Sequence, residues 1–116
     1  MGLPKPTILT DLDGTLIEYN LDVIEGLKPM TLLPGVLDKL TEWRENGYCI
    51  VITTGRPATR IHTERQLQEA GISYDHLLMG LGGGKRILIN DAKPDGQITA
   101  VAYCIERNAG ISSIHE

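Results

Sequence analysis

The chain has 116 residues, which is enough for one hydrophobic core but not for two, so we predict a single domain over residues 1–116. The hydrophobic fraction of 41% is ordinary for a globular protein, and the absence of Phe means that the core is built mainly from aliphatic residues. The net charge of -4 argues against a general nucleic-acid-binding surface and against a surface for anionic membranes, since both favour basic patches.

No stretch of the sequence is apolar for long enough to span a bilayer, and residues 1–6 lack the apolar core of a signal peptide. These features predict a cytoplasmic protein without a membrane partner. Cys49 and Cys104 lie in apolar surroundings, one in a predicted strand and one in a predicted helix. We expect them to be small core residues rather than a disulfide or a metal-binding pair.

The first predicted strand ends in an acidic corner. A short apolar run over residues 7–10 stops at Asp11-Leu12-Asp13-Gly14, a pattern typical of a buried strand followed by a sharp turn. Because glycine lets the backbone turn at once, both carboxylates can converge on one hard cation such as Mg²⁺. A polar turn without a ligand is the alternative, since Asp-Gly is also a common hairpin signal.

Residues 17–31 have no long helical period and predict a short flap beside the acidic corner. The next helix begins after Pro34-Gly35 and ends before Gly47, with Trp43 on its apolar face.

The second predicted strand covers residues 48–53 and ends at Thr54-Gly55-Arg56. A hydroxyl and a glycine followed by a helix over about residues 58–70 would form a phosphate cradle, because backbone N–H groups and the positive helix end would face the anion. A plain N-cap threonine is the alternative.

The remaining third of the chain predicts two more strands and another helix. The strands cover residues 74–79 and 86–89, and the second of them ends at Asn90-Asp91. The glycine-rich run 80–84 between them is a connection rather than a dinucleotide fingerprint, because no helix follows it. Apolar residues at helical spacing then predict a helix over 97–108, and residues 111–114 predict an edge strand.

Strands that alternate with helices predict an α/β fold, a Rossmann-like three-layer sandwich with a mainly parallel sheet. Ligands of such sheets bind outside the carboxyl ends of the strands. Asp11, Thr54 and Asp91 all fall at predicted strand ends, so we expect them to share one site.

Three of these stretches together resemble a known family. Residues 11–16, Asp-Leu-Asp-Gly-Thr-Leu, resemble the first motif of the haloacid dehalogenase-like (HAD) hydrolases. Residues 51–56 resemble the second motif and residues 87–91 the fourth. The resemblance implies a HAD-like phosphatase of the small capless type, because the segments between the motifs are used by core elements and leave no room for an inserted cap domain.

The resemblance also implies roles for individual residues. Asp11 would be the nucleophile that forms an aspartyl phosphate, and Asp13 would protonate the leaving oxygen and then activate water. Mg²⁺ would be held by Asp11, by the backbone carbonyl of Asp13 and by Asp91. Thr54 and Gly55 would bind the transferring phosphoryl group.

The third family motif is a Lys or Arg that neutralises the phosphoryl charge, and its match is the loosest. Lys85 is the first choice, with Lys93 and Arg56 as alternatives, and a surface lysine is the competing interpretation. Asp95 is either an additional acid near the metal or a turn residue between Pro94 and Gly96.

A capless site needs another cover, either a neighbouring subunit of a homo-oligomer or a large substrate. A phosphorylated small molecule such as a sugar phosphate is the expected substrate, with a phosphoprotein or a nucleic-acid end as alternatives. Two other classes remain open: a phosphorelay receiver-like domain, which would need an acidic residue where Thr53-Thr54 stand, and a catalytically degenerate phosphate-binding module.

Overall fold

The computed structural model describes residues 4–116. The prediction that residues 1–6 are not a signal peptide falls partly on residues 1–3, which lie outside the described residues. The elements in chain order are β1 (Thr7–Asp11), α1 (Leu21–Ile24), α2 (Val36–Glu45), β2 (Cys49–Thr53), α3 (His62–Glu69) and β3 (His76–Leu78). The strands form a parallel sheet in the order β1-β2-β3. The predicted α/β fold with a mainly parallel sheet is therefore confirmed.

The three strands end at the same edge of the sheet. Asp11, the last residue of β1, is in register with Thr53 of β2, and Thr53 is in register with Leu78, the last residue of β3. The loops that follow the strands consequently leave the sheet side by side. This shared edge is where parallel α/β sheets bind their ligands.

The core is aliphatic apart from Trp43 of α2, which is buried as its place on the apolar face predicts. The loop after β1 contributes fully buried side chains of its own, Leu12, Leu16 and Ile17. Burying an aliphatic side chain of this size stabilises the fold by about 1.5–3 kcal/mol. The acidic corner is therefore anchored in the core on both sides of Asp13.

The flap over residues 17–31 is a short loop that packs on the core through the buried side chains of Ile17 and Val23. Its base is closed by an antiparallel bridge between Ile17 and Leu32 and by a hydrogen bond from the N–H of Glu18 to the carbonyl of Thr31 at 2.8 Å. Its single turn of helix, α1, is capped by Asn20, whose side-chain oxygen accepts from the N–H of Asp22 at 2.9 Å.

The predicted strand over residues 86–89 is wrong: residues 79–116 contain neither helix nor strand. Ile87 and Ile89 are 77% and 88% exposed. The guanidinium of Arg86 donates to the carbonyls of Gly84 at 2.7 Å and Gly82 at 2.9 Å, just before the apolar run. The run forms no ladder with β1, whose only strand partner among the described residues is β2.

The predicted helix over residues 97–108 and the edge strand over 111–114 are also wrong. A helix of that length depends on packing of its apolar face, and Ile98 and Val101 of that face are exposed. Ile111 nevertheless reaches the core.

Both cysteines are free, with Cys49 partly buried in β2 and Cys104 exposed. The prediction that Cys104 is a core residue is therefore wrong, because the helix meant to bury it does not form. Among the described residues, no helix combines the length and the apolar character needed to cross a membrane.

Candidate active site

The acidic corner is a tight loop that follows β1 without a spacer. The carbonyl of Leu12 accepts hydrogen bonds from three successive N–H groups, those of Thr15, Leu16 and Ile17, at 3.1, 3.0 and 3.3 Å. Gly14 adopts a φ of 87°, a left-handed conformation that favours glycine. The corner is thus a defined structure with Asp11 at the strand end and Asp13 inside the loop.

Asp11 has a carboxyl group whose protonation is perturbed. Although the residue as a whole is exposed, the surrounding loops partly desolvate the carboxylate, and this raises the pKa of Asp11 above its ordinary value. The N–H of Leu12 opposes the shift by hydrogen bonding, the charge of Asp13 adds to it, and the charge of Arg86 opposes it. A perturbed carboxylate at the carboxyl end of a strand fits a reactive group.

Asp13 is held by an arginine from the loop after β2. Arg56 donates from Nε to Oδ2 and from Nη2 to Oδ1 of Asp13, both at 2.8 Å. The pair is nearly closed to water, since the Arg56 side chain is 2% exposed and that of Asp13 is 11% exposed. Two parallel bonds of this kind fix the plane of a carboxylate as well as its position. The Arg56–Asp13 ion pair therefore connects the stretch that resembles the first motif to the stretch that resembles the second.

The far side of the Arg56 guanidinium is also occupied. Nη1 donates to Thr63 Oγ1 at 3.2 Å and to Gln66 Oε1 at 2.8 Å, both on α3. The amide nitrogen of Gln66 in turn donates to the flap carbonyls of Val23 at 2.9 Å and Lys28 at 3.0 Å. A continuous buried chain of polar contacts consequently runs from the acidic corner through α3 to the flap.

Thr54 is almost fully buried, and its Oγ1 accepts a hydrogen bond from the N–H of Arg56 at 3.1 Å. This is a local side chain–backbone turn, and the N-cap that we gave as the alternative to phosphate binding is wrong, because no helix begins after Thr54. The predicted helix start at about residue 58 is wrong, because α3 begins at His62 after a turn. The positive end of a helix therefore does not follow Gly55 directly, and phosphate binding by Thr54 and Gly55 stays a prediction.

The glycine-rich connection packs on the loop after β2. The N–H of Gly80 donates to the carbonyl of Arg56 at 2.7 Å, and the N–H of Leu81 donates to the carbonyl of Thr54 at 3.2 Å. A Cβ atom on Gly55 would lie only 2.6 Å from the carbonyl oxygen of Gly82. Glycine at position 55 is thus required by the close approach of two backbones.

The basic residues proposed for the third motif are placed differently from one another. Lys85 and Lys93 are exposed, and neither side chain forms an ion pair within the described part of the chain. Arg56 is committed to Asp13. Arg86, which the sequence did not single out, is the cation whose charge acts on Asp11. In the sequence, only its position directly after Lys85 points to Arg86 as a candidate for the third motif.

Asp91 is exposed in the irregular segment that replaces the predicted strand. Over residues 4–116, no three acidic, histidine or cysteine side chains are grouped as metal ligands, so the structure does not bring Asp91 to Asp11 and Asp13. Its role as a ligand stays a prediction. Asp95 accepts from the N–H of Gln97 at 3.0 Å, the turn role that we gave as its alternative.

The oxygen ligands that the acidic corner itself offers suit Mg²⁺. Mg²⁺ in phosphoryl-transfer sites uses one or two carboxylates and completes its shell with waters and substrate phosphate. Asp11 offers a carboxylate, and the main-chain oxygen of Asp13 accepts no backbone hydrogen bond in the described part of the chain.

Comparison with known proteins gives the family. A family model for haloacid dehalogenase-like hydrolases matches residues 8–83, which is more than half of the chain. The chain belongs to the haloacid dehalogenase-like hydrolases. The matched region of this HAD-like chain contains Asp11, Asp13, Thr54 and Arg56, and it ends before Lys85 and Asp91. Membership supports a hydrolase of the phosphatase type.

Solved structures agree with the family. A chain in a structure of the Pnkp1/Rnl/Hen1 RNA repair complex is 32% identical, with 66% of this chain and 26% of that chain covered and a TM-score of 0.55. A chain in another Pnkp1/Rnl/Hen1 structure is also 32% identical, with 73% and 31% covered and a TM-score of 0.54. This HAD-like chain thus spans about a quarter to a third of the length of those chains.

A third structure, of a target protein from Vibrio cholerae, is 23% identical, covers 78% of this chain and 85% of that chain, and has a TM-score of 0.55. At that identity the likeness shows the fold alone. No curated protein matches the sequence.

Proposed function

We propose that this HAD-like protein is a Mg²⁺-dependent phosphatase that hydrolyses a phosphate monoester through an aspartyl phosphate on Asp11. The observation that carries the proposal is the junction of the first two motifs, in which Asp13, two residues after Asp11, is held by the buried Arg56. A free carboxylate beside a fixed one gives two groups with separate tasks, which two-step displacement requires.

In the first step, an Asp11 oxygen bonds to phosphorus while the bond from phosphorus to the leaving oxygen breaks, and Asp13 gives its proton to that oxygen. In the second step, Asp13 takes a proton from water, the water oxygen bonds to phosphorus, and the acyl phosphate bond breaks to free Asp11. Proton transfers by a positioned carboxyl group typically contribute about 10²–10⁴-fold to such a rate.

Two groups would reduce the charge of the transferring phosphoryl. Mg²⁺, held by the carboxylate of Asp11 and the carbonyl of Asp13, would supply a dication next to the phosphate oxygens. Lys85 stays the first proposed residue for the third-motif role, and its neighbour Arg86 is added as an alternative, because the charge of Arg86 opposes the raised pKa of Asp11. The hydroxyl proton of Thr54 and the N–H of Gly55 remain the proposed contacts to the phosphoryl group.

A phosphorylated sugar or similar metabolite is the first proposed substrate class. The 32% identity to a chain of an RNA repair complex favours a second one, a phosphorylated polynucleotide end. Since the described residues include no cap, either a second subunit or the substrate itself would cover the site. Phosphate release from sugar phosphates and from oligonucleotides with 3′- or 5′-phosphates, paired with light scattering, separates these classes.

The mechanism is tested with an aryl phosphate in the presence of Mg²⁺ or EDTA. We expect activity only with Mg²⁺, and we expect Asp11→Asn to abolish it. Asp38→Asn, which removes an exposed carboxylate from α2, is the matched control. Full activity in EDTA or in Asp11→Asn would refute the proposal.

In the same assay, a raised half-saturating Mg²⁺ concentration in Asp91→Asn assigns Asp91 to the metal site, and an unchanged one excludes it.

A further inference from the structure

We infer that Arg56 is a positioning residue: it acts on the reaction through Asp13, whose carboxylate it holds in the orientation needed for proton transfer. The inference rests on the proposed role of Asp13 as acid and base. It goes beyond that role because it assigns a function to a side chain that is placed against Asp13 and α3 rather than against substrate.

The first argument is the geometry of the ion pair. Both Asp13 oxygens accept from different nitrogens of one guanidinium, at 2.8 Å each. A single bond would let the carboxylate rotate, whereas a bidentate pair fixes both its direction and its plane. A carboxylate has about four lone-pair sites, so two remain for exchanging a proton with the leaving oxygen and with water.

The second argument is that Arg56 cannot easily change partners. Its Nη1 is held by Thr63 and Gln66, and its own backbone N–H is held by Thr54. The residue is 4% exposed. Each of the three guanidinium nitrogens therefore donates to a protein acceptor, which suits a fixed support and does not suit a residue that turns to bind substrate.

The third argument is the link from Arg56 to the flap. Gln66 accepts from Arg56 with its oxygen and donates to two flap carbonyls, of Val23 and Lys28, with its nitrogen. One buried amide thus sets the distance between the guanidinium and the flap. Arg56 thus links Asp13 directly to α3, and Gln66 of α3 extends that link to the flap.

The test uses Arg56→Lys, which keeps the positive charge but cannot form the bidentate pair. Arg60→Lys is the matched control, because Arg60 lies four residues later and pairs with the exposed Glu25. Each protein is assayed with an activated aryl phosphate, whose leaving group needs no proton, and with an alkyl phosphate, whose leaving group does. We expect Arg56→Lys to lower kcat/KM by about 10²-fold for the alkyl ester and by less than about 10-fold for the aryl ester.

The same substitution in an Asp13→Asn background completes a double-mutant cycle. If Arg56 acts through Asp13, the substitution should have almost no further effect once that carboxylate is gone. Equal losses for both esters, or an undiminished loss in the Asp13→Asn background, would overturn the inference. Failure of the proposed function has a different signature, because then the parent protein would show no Mg²⁺-dependent turnover, or Asp13→Asn itself would show no leaving-group dependence.

Thermal unfolding by circular dichroism separates positioning from loss of fold. We expect the Arg56→Lys and Arg60→Lys variants to unfold cooperatively at assay temperature. If Arg56→Lys is unfolded there, Gln66→Leu replaces it, because that change removes an acceptor of Arg56 Nη1 and leaves Asp13 and Arg56 themselves in place. The same selective loss with the alkyl ester is expected, and equal losses for both esters contradict the inference.

Discussion

The contact between Gly55 and the glycine-rich connection gives the sharpest stability prediction. In Gly55→Ala, the new methyl carbon would lie 2.6 Å from the carbonyl oxygen of Gly82 and 3.1 Å from its carbonyl carbon. Non-bonded carbon and oxygen atoms do not approach that closely, so the two backbones must separate. They are held together by hydrogen bonds to the carbonyls of Thr54 and Arg56, at 3.2 and 2.7 Å.

The loss of stability expected for Gly55→Ala is that of an overpacked site. Forcing an extra methyl group into a filled space typically costs about 1–3 kcal/mol, and the loss of one of the two backbone bonds would add about 0.5–1.5 kcal/mol. Gly83→Ala is the matched control in the same segment, because no atom lies within 4 Å of its added Cβ and its φ is not positive. A glycine-to-alanine change at such a position is neutral or stabilises by about 0.4–1 kcal/mol.

Urea unfolding followed by circular dichroism measures the difference between the two variants. We expect Gly55→Ala to be less stable than Gly83→Ala by at least about 1 kcal/mol. Phosphatase activity should fall in Gly55→Ala, because Thr54 and Arg56 flank the displaced residue, and stay at the parent level in Gly83→Ala. Equal unfolding midpoints for the two variants would refute the steric argument.

Two further predictions concern fold stability. The carboxylate of Asp75 accepts from the N–H of Ile50 at 2.7 Å, and this bond, together with the charge of Arg44, lowers the pKa of Asp75. A lowered folded-state pKa gives stability that is present above the unfolded value of about 3.9 and is lost as the pH falls through the folded value. The urea midpoints of the parent and Asp75→Asn should therefore converge between pH 6 and pH 3, and a constant gap would contradict this. Asn108 has a φ of 67°. Its N–H donates to the carbonyl of Gly14, and its side-chain oxygen accepts a hydrogen bond from the N–H of Tyr19. In urea unfolding, Asn108→Gly should lower the free energy of unfolding by about 1 kcal/mol through loss of the side-chain hydrogen bond. Asn108→Ala should lower it further, because alanine disfavours that φ. The reverse order would contradict this account of Asn108.

The parts of the fold that the sequence predicts well are those with local signals. Helix α2 has a glycine at its N-cap and is followed by Gly47, whose φ of 82° favours that residue type. Strands β1 and β2 are apolar runs bounded by turn residues. Local propensity and tertiary packing agree in these elements, so the sequence pattern and the structure coincide.

The segment after residue 84 has equally good local patterns, but the structure does not use them. Ile87 and Ile89 alternate as in a strand, yet a strand exists only where a neighbour supplies hydrogen bonds, and residues 86–89 pair with no strand of the described sheet. The pairing of Arg56 with Asp13 was unpredictable for a related reason. It joins residues 43 positions apart, and no periodicity reports on such a contact.

The charges of the site give a physical reason for including Mg²⁺ in the proposed function. When ionised, Asp11 and Asp13 carry two negative charges, and the cations that act on them are Arg56 and Arg86. The corner is therefore close to neutral before substrate arrives. A phosphate dianion adds two negative charges at a site that is partly desolvated, where repulsion is stronger than in water. Arg56 is poorly placed to offset this charge, because each of its guanidinium nitrogens already donates to a protein acceptor. A divalent cation that enters with the substrate restores the balance without disturbing the pair that holds Asp13.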